Sequence, residues 1–117
     1  MKIINNNVVK EKSMRIICLD GKIINSKDFE ELEKLVVESV RSEIFNFVLH
    51  FKRITTINST GINSLLNLYK LVENATGKLI IFEADQFIKK VLKITCVDHM
   101  INICDSMNEI HEVISPQ

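Results

Sequence analysis

The chain has 117 residues, with 15 basic and 15 acidic side chains and 46% hydrophobic residues. These values are typical of a soluble globular protein with a modest core, and we expect a single domain over residues 1–117. The balanced charge gives no electrostatic attraction to nucleic acid or to an anionic membrane. The polar amino terminus lacks the apolar core of a signal peptide, and no apolar run approaches the length of a membrane span, which predicts a cytoplasmic protein.

Apolar periodicity, taken in chain order, alternates between strands and helices. Two short strands come first, at 8–9 and 15–19, where they can pair across the polar turn 11–13. The later elements are a helix at 27–42, a strand at 46–51, a helix at 60–75, a strand at 77–82, a helix at 85–95, a strand at 100–103 and a last helix at 107–114. This alternation predicts an α/β fold with a largely parallel sheet and short, right-handed crossovers.

Small and polar residues mark the predicted ends of the helices. Either Ser26 or Asp28 is expected to cap the first helix, and Gly77 is expected to end the second one. The buried face of the third helix is predicted to contain Phe87, Val91 and Leu92. The basic residues of the third helix, Lys89, Lys90 and Lys93, are interpreted as a solvated helix face.

The residues that usually carry enzyme chemistry do not form a recognisable site. No glycine-rich phosphate loop is present, and the three histidines, at 50, 99 and 111, do not stand at metal-ligand spacing. His50 is interpreted as a packed or edge residue of a strand rather than as a base. Cys18 and Cys104 lie in apolar runs and are expected to be buried free thiols. We therefore expect no catalytic residues, no metal and no cofactor, and predict that the chain is not an enzyme.

Residues 54–63, ITTINSTGIN, join a β-branched strand pattern to the start of the second helix. Asn58 breaks the strand pattern, and Ser59 or Thr60 is then predicted to cap the helix by accepting a hydrogen bond from an unpaired N–H. Gly61 is predicted to let the backbone turn sharply and leave both hydroxyls uncovered. In a parallel α/β fold this junction lies at the carboxyl end of a strand, where such sheets place their sites and where a helix N-terminus favours an anion.

Two interpretations of this junction stay open. The first is a helix cap that contributes about 1 kcal/mol to stability. The second is a hydroxyl that a kinase phosphorylates, since phosphate adds about −1.5 to −2 charges that a helix N-terminus tolerates and an acidic or apolar partner surface does not. The two are compatible, because a capping serine can also be a phosphorylation site.

Five segments, in order, resemble the STAS domain of bacterial anti-sigma factor antagonists. The segments are 19–23 (LDGKI), 47–62 (from FVLHF to INSTGI), 77–81 (GKLII), 91–98 (VLKITCVD) and 103–109 (ICDSMNE). At the second segment the family has an apolar strand, a short spacer and then Asp-Ser-Ser/Thr-Gly-Leu/Ile. The likeness covers residues 8–114, which is almost the whole chain.

The resemblance implies a mixed, mostly parallel sheet with about four helices packed mainly on one face. It also implies that the chain binds an anti-sigma factor with serine kinase activity and so releases a sigma factor. Phosphorylation of Ser59 would break this complex, and a phosphatase would restore it. The partner-binding residues would be Asn58, Ser59, Thr60 and Gly61. Because the kinase supplies ATP and magnesium, the chain needs neither, and we expect a monomer or weak dimer without direct contact to nucleic acid or membrane.

The chain departs from the family pattern at three positions. Asn58 replaces the aspartate before the serine, Ile24 stands where an acidic residue often follows the first segment, and Cys96 replaces a glycine. Two carboxylates that would help position the hydroxyl or the kinase are therefore missing, although their loss also removes repulsion of a phosphate. These departures motivate a second hypothesis, a STAS scaffold without phosphorylation in a signalling or lipid-transport complex. A third, a small-ligand or nucleotide domain at the same strand ends, has no phosphate loop to support it.

Overall fold

Within residues 1–115, five strands and four helices alternate in the order that the sequence predicts. The elements are β1 (Lys2–Val9), β2 (Met14–Ile23), α1 (Glu30–Arg41), β3 (Asn46–Ile57), α2 (Ser59–Asn74), β4 (Leu79–Phe82), α3 (Gln86–Ile94), β5 (Asn102–Cys104) and α4 (Met107–Ile114). Single turns of 3₁₀ helix lie at 10–12, 26–29 and 97–99. The structure, a computed structural model, describes residues 1–115, so the last two residues of the expected domain, Pro116 and Gln117, lie outside it.

The strands lie side by side in chain order, β1-β2-β3-β4-β5. The β1–β2 pair is antiparallel, as expected from the polar turn between them, and every later pair is parallel. Each crossover from β2 onward therefore steps in the same direction across the sheet. Because such crossovers are right-handed, α1, α2 and α3 must all lie on one face. This confirms the mixed, mostly parallel sheet with helices mainly on one face.

The two faces of the sheet carry cores of unequal size. The larger core packs Ile17, Leu49 and Ile81, aligned across β2, β3 and β4, against the buried sides of α1, α2 and α3. On the opposite face a smaller cluster joins Val48 and Ile80 to Ile110 of α4. Successive strand residues thus point to opposite cores, as the alternation of a strand requires. The fourth helix covers only part of this second face.

The edges of the sheet differ from what apolar periodicity alone predicts. β1 begins at Lys2 rather than near Val8, since its middle residues, Asn5 to Asn7, are exposed and polar. A bulge between Ile3 and Asn5 interrupts its pairing with β2. β5, at the other edge, has only three residues. A polar edge strand carries little hydrophobic signal, which is why its first residues escape a sequence-based search.

Among the described residues, three non-glycine residues adopt the left-handed conformation where α-helices end. Glu43 (φ +65°) follows α1, Thr76 (φ +61°) follows α2, and Cys96 (φ +61°) follows α3. Gly77 is not the left-handed residue that its position predicts. Its N–H donates to the carbonyl of Val72 at 3.0 Å, and a side chain there would collide with the carbonyl of Phe45. Cys96 occupies the position where the STAS pattern has glycine, so the family preference has a backbone cause.

The strain at Cys96 gives a first prediction. Cys96→Gly should raise the free energy of unfolding by about 0.5–1 kcal/mol, because relief of the left-handed conformation outweighs the extra chain entropy of glycine. Denaturant unfolding measures the change. As a control, Lys90→Gly inside α3 should lower stability by about 1 kcal/mol, since that residue is helical. A destabilised Cys96→Gly variant would contradict this account.

Candidate functional site

The start of α2 is fastened to the end of β2 by the side chain of Asn58. Its Oδ1 accepts a hydrogen bond from the Gly61 N–H at 2.9 Å, and its Nδ2 donates to the carbonyl of Ile24 at 3.1 Å. Its backbone N–H also donates to the carbonyl of Ile23 at 3.2 Å. Asn58 is therefore the N-cap, and the prediction that Ser59 or Thr60 fills this role is wrong. An aspartate could accept from Gly61 but could not donate to Ile24.

Ser59 and Thr60 form the first turn of α2, and both are exposed. Because Asn58 performs the capping, the hydroxyl of Ser59 is not needed to close the helix. The backbone N–H groups of this first turn have no partners within the helix and point toward its N-terminal end. The structure thus places an exposed hydroxyl where the helix dipole favours negative charge.

Gly61 is required by close packing rather than by a sharp turn. It is buried inside the helix, and an added Cβ would collide with the carbonyl oxygen of Ile23. The predicted role of Gly61 as a turn residue is therefore wrong, although the requirement for glycine is real. Because Gly61 has no side chain, α2 can begin directly against the end of β2. This start brings Ser59 to the surface at the carboxyl end of β3.

The segment after β2 is organised by Asp28. Its Oδ2 accepts from the N–H groups of Ile24 (3.1 Å) and Asn25 (3.2 Å), and its Oδ1 accepts from the Met1 ammonium at 3.1 Å. Asn25 in turn caps the 3₁₀ turn by accepting a hydrogen bond from the Asp28 N–H. The prediction that Ser26 or Asp28 is the cap is therefore wrong. The same segment carries Ile24, to which Asn58 is bonded.

The ionisation of Asp28 is coupled to this geometry. Partial burial acts to raise its pKa, but the hydrogen bonds from Ile24 and Asn25 and the nearby ammonium of Met1 outweigh it and hold the pKa below its ordinary value of 3.8. The charged carboxylate is therefore bound more favourably by the folded chain than by the unfolded one.

A shallow pocket of about 380 Å³ lies between the start of α2 and one side of α3. Its lining residues are Ile57, Asn58, Ser59, Ile62, Asn63, Val91 and Thr95. Val91 belongs to an apolar stripe at helical spacing, together with Phe87 (60% exposed) and Ile94 (74% exposed). We call these three residues the α3 stripe. The prediction that Leu92 is buried is confirmed, whereas the prediction that Phe87 is buried is wrong, because Ile88 accompanies Leu92 on the buried side of α3.

The α3 stripe is the part of the site that sequence reasoning misses. Its i, i+4, i+7 spacing was available as a signal, but the same spacing describes a buried face. Exposed lysines flank the stripe at Lys90 and Lys93, as expected for a solvated surface, whereas Lys89 pairs with Asp105 at 2.7 Å. Asp85 caps α3 by accepting a hydrogen bond from the Ile88 N–H at 2.8 Å, which gives its carboxylate a structural role.

Two further features bear on the class of site. Among residues 1–115 no cluster of histidine, cysteine and acidic side chains is arranged to hold a metal ion. No helix in the same part of the chain has the length and apolar character needed to cross a bilayer. What the fold and this site define is an α/β domain that presents an exposed serine and an apolar stripe beside it.

The family follows from comparison with known proteins. The STAS domain model matches residues 5–110, so the chain belongs to the STAS-domain family. BtrV of Bordetella bronchiseptica strain RB50, which bears the provisional name of anti-sigma factor antagonist, is 29% identical over 86 residues, or 74% of this chain and 73% of BtrV. Such relatives are non-enzymatic regulators, in agreement with the expectation that the chain is not an enzyme.

Solved structures agree with this assignment at the level of the fold. The NMR structure of TM1081 from Thermotoga maritima matches with a TM-score of 0.82 and 16% identity, over 100% of this chain and 92% of that one. SpoIIAA, a Bacillus cell fate determinant, matches with a TM-score of 0.69 in its unphosphorylated form and 0.67 in its phosphorylated form. Its identities are 16% and 15%, over 95% and 93% of this chain and 97% of SpoIIAA in both cases.

Asp28 gives a second prediction. Its lowered pKa means that its contribution to stability is fully present well above pH 3.8 and disappears as the pH falls through and below that value. Asp28→Asn should therefore lower the free energy of unfolding by about 1–2 kcal/mol at pH 7 and make the remaining stability less sensitive to acid. Denaturant unfolding between neutral and acidic pH measures both effects. Glu38→Gln, an exposed carboxylate of α1 outside this network, should change neither, and equal acid sensitivity of Asp28→Asn and the parent chain would contradict the coupling.

Proposed function

We propose that this chain is an anti-sigma factor antagonist whose binding to an anti-sigma factor is switched off by phosphorylation of Ser59. The observation that supports it is an exposed hydroxyl at the first turn of α2, next to the α3 stripe, in which Phe87 and Ile94 are exposed. The partner is an anti-sigma factor with serine kinase activity, which supplies ATP and magnesium. Binding of the unmodified chain releases a sigma factor, and a phosphatase reverses the modification. Both reactions belong to the cytoplasm.

The local structure explains why a phosphate on Ser59 would be compatible with the fold. The hydroxyl takes no part in capping, because Asn58 supplies that hydrogen bond. A phosphate at this position carries about −1.5 to −2 charges and meets the positive end of the α2 dipole, which stabilises an anion by about 0.3–1 kcal/mol. Phosphorylation would thus change the surface and leave the core in place.

The same phosphate would act strongly on a bound partner. Ser59 and Val91 line one pocket, so a partner that covers the α3 stripe also covers the serine. Phe87 and Ile94 provide apolar area for such a partner, and their burial drives association. A phosphate on Ser59, at the rim of this pocket, would have to lose its hydration shell or displace the partner. Any acidic group of the partner opposite the phosphate would also repel it.

The names and known states of the relatives support the proposed class of function. BtrV carries the name of an anti-sigma factor antagonist, and SpoIIAA has been solved in both phosphorylated and unphosphorylated forms. The assignment of the phosphate to Ser59 rests on the match of Asn58-Ser59-Thr60-Gly61 to the family motif and on the exposure of Ser59. The four residues of this motif are proposed as the centre of the partner-binding surface.

A second candidate, a STAS scaffold that binds its partner without phosphorylation, is favoured by one observation. The two positions where the family has carboxylates near the serine are Asn58 and Ile24, and Asn58 is committed to a hydrogen bond with the Ile24 carbonyl. A kinase that needs a carboxylate at either position would not act here. A complex that co-purifies stably and ignores ATP would favour this scaffold over the switch.

The modification itself gives a third prediction. Incubation of the full chain with a histidine-kinase-like anti-sigma factor from the same genome, ATP and magnesium should add a single phosphate, mapped to Ser59 by mass spectrometry. Ser59→Ala should abolish the modification, whereas the neighbouring Thr60→Ala should retain it. Phosphate on Thr60 alone, or on a residue outside the first turn of α2, would contradict the assignment.

The effect of charge on binding gives a fourth prediction. Ser59→Asp should weaken binding to the anti-sigma factor by about tenfold or more, while Ser59→Ala should stay within about twofold of the parent chain. Calorimetric titration measures both affinities. Thermal unfolding should show Ser59→Asp to be as stable as the parent or slightly more so, because its charge lies at a helix N-terminus.

A matched control separates the position of the charge from its mere presence. Asn108 lies in the first turn of α4, on the opposite face of the sheet, and is exposed. Asn108→Asp adds a charge to the first turn of another helix, one position further from its N-cap than Ser59 is, and should leave binding unchanged. Equal weakening by Ser59→Asp and Asn108→Asp, or no weakening by either, would overturn the charge mechanism.

A further inference from the structure

The sheet face opposite α1–α3 carries a row of residues aligned by strand register. Asn5 of β1, Cys18 of β2, His50 of β3, Phe82 of β4 and Cys104 of β5 are successive cross-strand partners. The β5 end of this row lies under α4 and is buried. Cys18 and His50 lie beyond the cover of α4 and are half-buried, so the expectation that Cys18 is a buried thiol is wrong.

Cys18, His50 and Glu83 form a chain of polar contacts on this face. The Nε2 of His50 lies 2.7 Å from Oε1 of Glu83, and its Nδ1 lies 3.7 Å from Sγ of Cys18. An ionised carboxylate can only accept a hydrogen bond, so in neutral His50 the proton resides on Nε2. The lone pair of Nδ1 then faces Cys18, whose S–H can donate to it. Sequence reasoning treats His50 as a packed or edge strand residue because Cys18 and Glu83 are distant in the chain.

The ring of His50 is fixed in this orientation from two sides. It packs against Phe82 with ring centroids 5.2 Å apart and an interplanar angle of 31°. Glu83 adopts a left-handed backbone conformation (φ +57°), and its N–H donates to the Cys104 carbonyl at 3.0 Å. The carboxylate therefore reaches His50 from a constrained position. Sulfur and carboxylate contact opposite nitrogens of one ring, an arrangement for proton transfer rather than for converging on a metal ion.

A pocket of about 460 Å³ lies over the thiol. Its lining residues are Ile4, Asn5, Cys18, Leu19, His50, Lys52 and Arg53. The pocket gives a small molecule access to Sγ. Its two cationic side chains, Lys52 and Arg53, favour a negative charge inside it, although Arg53 also pairs with Asp20 at 3.9 Å. Sulfur, base and access thus occur together in one place.

The other two thiols provide contrasting environments in the same molecule. Cys96 is exposed, and among the described residues the histidine–cysteine hydrogen bond is that of His50 with Cys18, not with Cys96. Cys104 is buried, and this burial, reinforced by nearby acidic groups such as Glu109, raises the pKa of its thiol. Reactivity of a thiol requires its thiolate form and access to a reagent. Only Cys18 has both a positioned base and a pocket.

We propose that Cys18 is a redox-modification site that reacts with small hydroperoxides to form a sulfenic acid, with His50 as the base and Glu83 as the residue that positions it. The Cys18 proton passes to Nδ1 of His50, and the thiolate attacks one peroxide oxygen. The S–O bond forms as the O–O bond breaks, and the leaving oxygen takes the proton from His50 as water or an alcohol. Sulfur loses two electrons and the peroxide gains them, so the step needs no other reactant. External thiols reduce the sulfenic acid back to the thiol.

The test uses the full chain, hydrogen peroxide and a 1,3-dicarbonyl probe that traps sulfenic acids. Peptide mass spectrometry follows the labelling rate of each cysteine, with Cys96 as the exposed internal control. At pH 7 we expect Cys18 to be labelled about tenfold faster than Cys96, and His50→Gln to lower the Cys18 rate by about tenfold or more while Cys96 is unaffected. Equal rates for Cys18 and Cys96 in the parent chain would overturn the proposal.

Glu83→Gln tests the positioning role and remains decisive if His50→Gln does not fold. An amide can donate to Nε2 as well as accept from it, so it no longer fixes the proton there. The tautomer with the proton on Nδ1, which lacks the lone pair that faces Cys18, then becomes populated. The rate of Cys18 labelling should fall, and a higher pH should be needed to reach a given labelling rate. The dependence of Cys96 labelling on pH should be unchanged. An unchanged Cys18 profile in a folded Glu83→Gln variant would contradict the proposed proton chain.

Discussion

The winding of the chain in a single direction from β2 to β5 is the constraint on which the remaining structure depends. Right-handed crossovers that all step the same way put α1, α2 and α3 on one face and leave the other face to α4 alone. The N-termini of α2 and α3 then lie at the same edge of the sheet. Ser59 and the α3 stripe become neighbours through topology, although the two helix caps, Asn58 and Asp85, are 27 positions apart in the chain.

The order of elements could be predicted from the sequence because long apolar periods and short connections leave few alternatives. The end of β2 and the start of α2 were less predictable. Asn58, rather than Ser59 or Thr60, caps α2, since its amide can both accept from Gly61 and donate to Ile24. Likewise, Gly61 is fixed by the carbonyl of Ile23, an atom 38 positions earlier in the chain. Local propensity contains no information about such contacts.

Exposure was the other quantity that sequence patterns could not supply. Phe87 looks like a core residue, yet it is 60% exposed, because the face that α3 presents to the sheet is set by Ile88 and Leu92. Cys18 looks buried by its apolar neighbours, yet one-sided helix coverage leaves it half-open beside His50. In both cases the residue type was read correctly and the position of the neighbouring helix decided its environment.

The two edges of the sheet have a consequence for how the chain meets others. A strand edge is a template for adding a foreign strand, and uncontrolled addition leads to aggregation. Here β1 offers polar asparagines and a bulge, and β5 offers only three residues. Neither edge provides a long, flat, apolar row for another strand to extend. Both edges therefore disfavour recognition by backbone pairing, and contact with another chain is left to surfaces made of side chains.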